Sequence, residues 1–146
     1  MSLSRGAVNR LPWLYPAYAG ACRAAADWLA KDLTALGFET GIHETALHPV
    51  VLAHKPKPGF PHVLFYGHYD VQPVDPIGLW TRDPFDPVVE DTPDGPVIRG
   101  RGASDDKGQL MTFVEACRAY KHVTGEMPCR ITFFFEGEEE SGSPSL

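Results

Sequence analysis

The sequence of 146 residues has no long hydrophobic run, no stripe of clustered lysines and arginines, and only three cysteines. Each shortage sets a class of function aside. No apolar stretch approaches the roughly 20 residues that cross a bilayer as a helix, so no membrane partner is expected. The opening stretch MSLSRGAVNRLPWLY lacks the continuous apolar segment of a signal peptide. A formal net charge of -6 without a basic stripe argues against nucleic acid as a partner, because phosphate binding needs a positive surface. Cys22, Cys117 and Cys129 are odd in number and show no C-x-x-C spacing. They read as reduced, mostly buried thiols of a cytoplasmic protein, and none sits in the polar, turn-like setting that activates a thiolate. Repeats and low-complexity tracts are also missing.

What remains is a chain of ordinary composition, long enough for one domain with one core. Cys22, Ala25, Leu29, Leu33 and Leu36 recur at three- and four-residue intervals and predict a helix over residues 16–36, stopped by Gly37. Apolar and aromatic residues predict a strand over 62–66, with weaker strands over 38–44 and 50–54 and a turn through KPKPGFP. Six prolines between residues 71 and 101 exclude helix there and predict a long ordered loop with a short hairpin around PDG. In that loop, Trp80 and Phe85 are expected to pack against the domain. Helical spacing resumes over 107–123 through Leu110, Val114, Cys117 and Tyr120, and 129–135 is apolar nearly throughout, as a central strand is. Strands alternating with helices give an α/β fold: a mixed sheet flanked by helices.

Three polar clusters, GHYD, SDDKG and EGEEE, fall where a strand ends or a loop meets a helix. Ligands of α/β sheets bind beyond the carboxyl ends of the strands, so the three are expected to converge. In GHYD, residues two apart on an extended backbone point the same way, which puts His68 and Asp70 together. A carboxylate there can accept the ring N–H and aim the other nitrogen at a metal, whereas the plain alternative is a surface His–Asp pair. In SDDKG, Asp105 and Asp106 precede a helix, where aspartate is an ordinary N-cap. The upstream RGRGA matches no phosphate-loop pattern. In EGEEE, glutamates that directly follow a buried strand repel one another, and a divalent cation relieves that repulsion. One glutamate can then bind metal while its neighbour acts as general base on a water, and a mixed His and carboxylate set suits Zn, with Mn or Co as alternatives.

Taken together, YGHYDVQP, LWTRDPFDP, GRGASDDKGQ and EGEEESGS resemble, in order and spacing, the M20 family of metallopeptidases, with wording that leans to its dipeptidase-like branch. The resemblance implies a partial zinc-exopeptidase-like catalytic domain that binds two divalent metal ions and hydrolyses an amide bond of a dipeptide or N-acyl amino acid. It implies that His68 ligates the first metal with Asp70 orienting its ring. Asp105 then bridges both metals across a peptide bond to Asp106 that is often cis. The family pattern Glu-Glu-x-Gly-Ser places Glu139 as general base and Glu140 as ligand of the second metal, leaving Glu136 and Glu138 off the metals.

Members of that family are several times longer, so residues 1–146 are expected to be the N-terminal part of the catalytic domain, without the lid domain and the later acidic and histidine ligands. His43, His48, His54, His62 and His122 are expected to be surface residues that do not replace those ligands. The expectation for the 146-residue chain alone is weak metal binding and little hydrolysis. The alternative is a catalytically inactive truncated domain serving as a binding or structural module. Homo-oligomer formation is left open.

Overall fold

The computed structural model describes residues 19–146. The first helix, α1, spans Ala19–Ala35 and buries Ala26, Leu29 and Leu33; the expected start at residues 16–18 lies outside the described residues. Its end follows from Gly37, whose φ of 92° is left-handed. There the Gly37 N–H donates to Thr34 O at 2.9 Å and Phe38 N–H to Leu33 O at 3.0 Å. Phe38 and Leu33 then meet in the core, which closes the turn hydrophobically.

Strands β1 (Glu39–His43), β2 (Val50–Lys55), β3 (His62–His68) and β6 (Arg130–Glu136) form one sheet in the order β1-β2-β6-β3. The β1–β2 and β2–β6 pairs are antiparallel and β3–β6 is parallel, so the sheet is mixed. β6 is central among the described residues, as its apolar sequence predicts. Strands β4 (Val88–Thr92) and β5 (Gly95–Arg99) form the expected hairpin around Pro93-Asp94-Gly95 as a separate two-stranded sheet. A second helix, α2, spans Lys107–Thr124 and ends at Gly125.

The core lies on one face of the four-stranded sheet. Ile131, Phe133 and Phe135 of β6 alternate inward, beside Val51 and Ala53 of β2, and meet Leu29 and Leu33 of α1 and Leu110 and Val114 of α2. Phe65 of β3 stacks on Phe113 of α2, with ring centroids 4.2 Å apart. Both helices therefore cover the same face. The opposite face carries Leu64, 63% exposed, and the half-exposed Tyr66. The expectation of flanking helices thus holds for one side of the sheet among the described residues. Cys117 is buried while Cys22 and Cys129 are only partly so; all three thiols are free. Burial pushes the Cys117 thiol up to about 11, which keeps it protonated.

Candidate metal centre

Parallel pairing of β3 with β6 sets His68 opposite Glu136, so both strands deliver their carboxyl ends to one crevice. His68 and Asp70 are buried. His68 Nδ1 lies 3.2 Å from Asp70 Oδ1, and Nε2 lies 3.1 Å from Asp105 Oδ1 and 3.8 Å from Glu139 Oε2. The imidazole is therefore gripped by one carboxylate behind and faces two in front.

Asp105 enters from the loop before α2, and its peptide bond to Asp106 is cis. Asp106 occupies the N-cap position of α2 but makes no side-chain capping bond. Instead its Oδ2 accepts the His68 backbone N–H at 3.1 Å. The capping alternative raised by SDDKG thus gives way to a bond that ties the loop to the end of β3. Gly67 leaves room for this contact: a Cβ there would stand 3.0 Å from that same oxygen.

Beyond β6 the chain makes a 3-10 turn at Glu139–Ser141, closed by Gly142 in the left-handed region. The Glu140 backbone N–H donates to Asp70 Oδ2 at 3.0 Å, so Asp70 holds both the imidazole and the turn. The Glu140 carboxylate accepts from Gln72 Nε2. His68, Glu139 and Glu140 each offer a ligand atom, and these atoms lie within 4.8 Å of one another.

Charge in this cluster is unbalanced. Burial pulls the His68 imidazole down, but Asp70, Glu139, Asp106 and Asp105 outweigh it and hold its pKa above the ordinary value. Desolvation raises the Asp70 carboxyl against the Glu140 N–H and His68, which lower it. Desolvation also raises Glu139, partly offset by His68, with Glu140, Asp70 and Asp105 adding to the rise. Acids crowded in this way favour a cation. Zinc bonds of about 2.0–2.2 Å set two ligand atoms on one tetrahedral ion roughly 3.3–3.5 Å apart. The 3.1 Å between His68 Nε2 and Asp105 Oδ1 is close to that spacing. The donor set therefore fits a divalent ion.

All five sequence-derived site residues, His68, Asp70, Asp105, Glu139 and Glu140, come together in this crevice. Glu136 and Glu138 turn elsewhere. Glu136 Oε1 accepts from Tyr66 Oη and from Ser143 Oγ, the latter at 2.9 Å. Two expectations are corrected. His48 is 7% exposed, not a surface residue, because the β1–β2 loop folds under the glutamate turn. Phe85 does not pack away: 53% exposed, it borders a cavity of about 250 Å³ shared with Asp70, Gln72 and Glu140. Trp80 does pack, donating from Nε1 to Val74 O at 3.0 Å under the Arg101 guanidinium. Sequence reasoning missed Gln72 and the anchoring bonds of Asp106; for Gln72 the available signal was its place two residues beyond Asp70.

Fold and cluster define a class: an α/β protein with a histidine–carboxylate centre at the carboxyl ends of two parallel strands. The model of peptidase family M20/M25/M40 matches residues 64–146. The chain belongs to that family. It is 38% identical over 102 residues to the Cys-Gly metallodipeptidase of Saccharomyces cerevisiae, covering 69% of this chain and 21% of that protein. It is 41% identical over 101 residues to the Beta-Ala-His dipeptidase of Homo sapiens, covering 67% and 19%. The crystal structure of human carnosine dipeptidase 1 superposes with a TM-score of 0.79 at 31% identity, over 91% of this chain and 30% of that one. The chain thus spans only about a fifth of the length of these two curated relatives. No helix among the described residues is long and apolar enough to cross a membrane.

Proposed function

We propose that this chain carries the amino-terminal share of the active centre of a metal-dependent hydrolase that cleaves the amide bond of a dipeptide or N-acyl amino acid. The observation that carries this reading is that His68, Glu139 and Glu140 bring ligand atoms within 4.8 Å of one another, with Asp105 Oδ1 3.1 Å from His68 Nε2 and Asp70 behind the ring. His68, Asp105 and Glu140 would hold two divalent ions, Zn in preference to Mn or Co, with Asp105 shared between them. When bound, such ions polarise the scissile carbonyl and acidify water.

The rest of the chemistry belongs to the protein. Asp70 accepts the His68 Nδ1 proton and so fixes Nε2 as the nitrogen that faces Asp105 and Glu139. Glu139 is exposed at the crevice, its Oε2 3.8 Å from His68 Nε2, where a carboxylate can accept a proton and give it back. It takes the proton of the attacking water and delivers it to the departing amine. Gln72 and the Asp70–Glu140 bond hold Glu140 still while this happens.

The two named relatives, a Cys-Gly metallodipeptidase and a Beta-Ala-His dipeptidase, support a small peptide as substrate. The test is a dipeptide and N-acyl amino acid panel assayed with Zn²⁺ on the full polypeptide that carries residues 19–146. Glu139→Gln is expected to lower kcat by about 10²–10⁴ while Zn²⁺ affinity stays within a few-fold. Hydrolysis unchanged by Glu139→Gln would contradict the assignment.

A further inference from the structure

Glu138 is the odd member of EGEEE: a carboxylate 2% exposed, adjacent to Glu139, and turned away from the metal centre. Its Oε1 accepts the Thr45 hydroxyl, the backbone N–H of Leu47 at 3.2 Å and of His48 at 3.1 Å, and the Ser145 hydroxyl at 3.1 Å. Its Oε2 accepts the Ser145 backbone N–H at 3.1 Å. Beside the Thr45 hydroxyl, whose oxygen also lies 2.6 Å from His48 O, the other four donors fill the usual complement of about four lone-pair sites on a carboxylate. Glu138 therefore has little left to offer an ion, and its burial is matched by hydrogen bonds on both oxygens.

The backbone of the same residue closes the turn. Glu138 O accepts the Ser141 N–H at 3.0 Å and the Ser143 N–H at 2.8 Å, while Glu139 O accepts the Gly142 N–H at 2.8 Å. One residue thus anchors the β1–β2 loop on one side and the Ser141–Ser145 arm on the other. Glu139 and Glu140 are the next two residues of that turn, so their carboxylates move only as far as Glu138 lets the turn move.

We infer that Glu138 is a positioning residue: its buried clasp on Thr45–His48 and Ser145 fixes the turn that presents Glu139 and Glu140 to the metal centre. The inference rests on the metal-centre reading of those two glutamates. Carboxylates at a metal need outer hydrogen bonds to hold their geometry, and removing such partners costs about 10–100-fold in affinity. Here the restraint reaches the ligand through the main chain.

The test uses Co²⁺ alone as probe, read by calorimetry and by its visible spectrum, with near-ultraviolet circular dichroism to monitor the fold. Glu138→Ala is expected to weaken Co²⁺ binding about tenfold and to change the shape of the visible bands. Glu138→Gln keeps an acceptor at Oε1 but not at Oε2, and falls between wild type and Glu138→Ala. Thr45→Val, which replaces the hydroxyl beside Glu138 with a methyl group, is expected to weaken binding a few-fold, and Thr45→Ser to restore it. Failure of wild-type protein to bind Co²⁺ would sink the metal-centre reading and this inference with it. Wild-type binding with unaltered affinity and spectrum in Glu138→Ala would overturn the inference alone. Should Glu138→Ala fail to fold, Thr45→Val decides: wild-type affinity and spectrum there overturn the clasp, and a rescued loss sustains it.

Discussion

Asp70 shows how much one side chain can organise. One oxygen takes the His68 ring and the other takes the Glu140 backbone N–H, so a single carboxylate ties the end of β3 to the turn after β6. Replacing Asp70 with Asn keeps the volume but weakens the hold on the ring, and places an N–H where one of two donors now points. Zn²⁺ affinity measured by calorimetry is expected to fall about 10–100-fold in Asp70→Asn with the fold intact. Equal affinity would show that the ring is oriented by its packing instead. The pairing of His68 with Asp70 was legible from the two-residue period of an extended chain. Asp106 was not: before a helix, an aspartate reads as a cap, and only the tertiary approach of the loop to β3 gives its oxygen a better donor in the His68 N–H. His48 misled for a related reason, since its burial comes from Glu138, ninety residues later.

At the scale of elements, helix ends and the central strand carry the design. Gly125 has a φ of 86° at the end of α2, and nothing stands within 4 Å of a Cβ built there. Gly125→Ala therefore isolates the backbone cost, expected at about 1 kcal/mol in urea denaturation; an unchanged midpoint would mean that the cap relaxes freely. Phe133, fully buried in β6 between Phe38, Phe65, Phe113 and Phe135, is the opposite case. Phe133→Ala is expected to cost about 3–5 kcal/mol by the same measurement, and a loss under 1 kcal/mol would contradict the packing described. Apolar content marked β3 and β6, and periodicity made α1 and α2 readable, because each helix buries a regular stripe. It could not show that both helices share one face, since a buried stripe says that something covers it but not from which side. Nor could proline content reveal that the segment from 71 to 101 holds Phe85 at the rim of a cavity, because loop conformation follows contacts made far along the chain.

For the molecule as a whole, buried groups that must stay neutral make the fold sensitive to alkali. Cys117 is held up to about 11 by burial, against an ordinary 9.0, and burial raises Tyr69 as well. A folded-state pKa above the unfolded one gives stability that is complete below the unfolded value and lost as pH climbs towards the folded value. Tm should therefore be flat to about pH 8 and fall between pH 9 and 11. Cys117→Ala should remove a share on the order of 2 kcal/mol of that fall. A slope identical in Cys117→Ala would assign the effect to other groups.

The central claim is that His68, Asp105, Glu139 and Glu140 meet to hold divalent metal, and calorimetric titration with Zn²⁺ tests it most directly. Saturable binding by the wild-type protein, weakened at least about tenfold in both His68→Ala and Glu140→Ala, is the predicted result. No binding, or binding with the same affinity in His68→Ala, would contradict it.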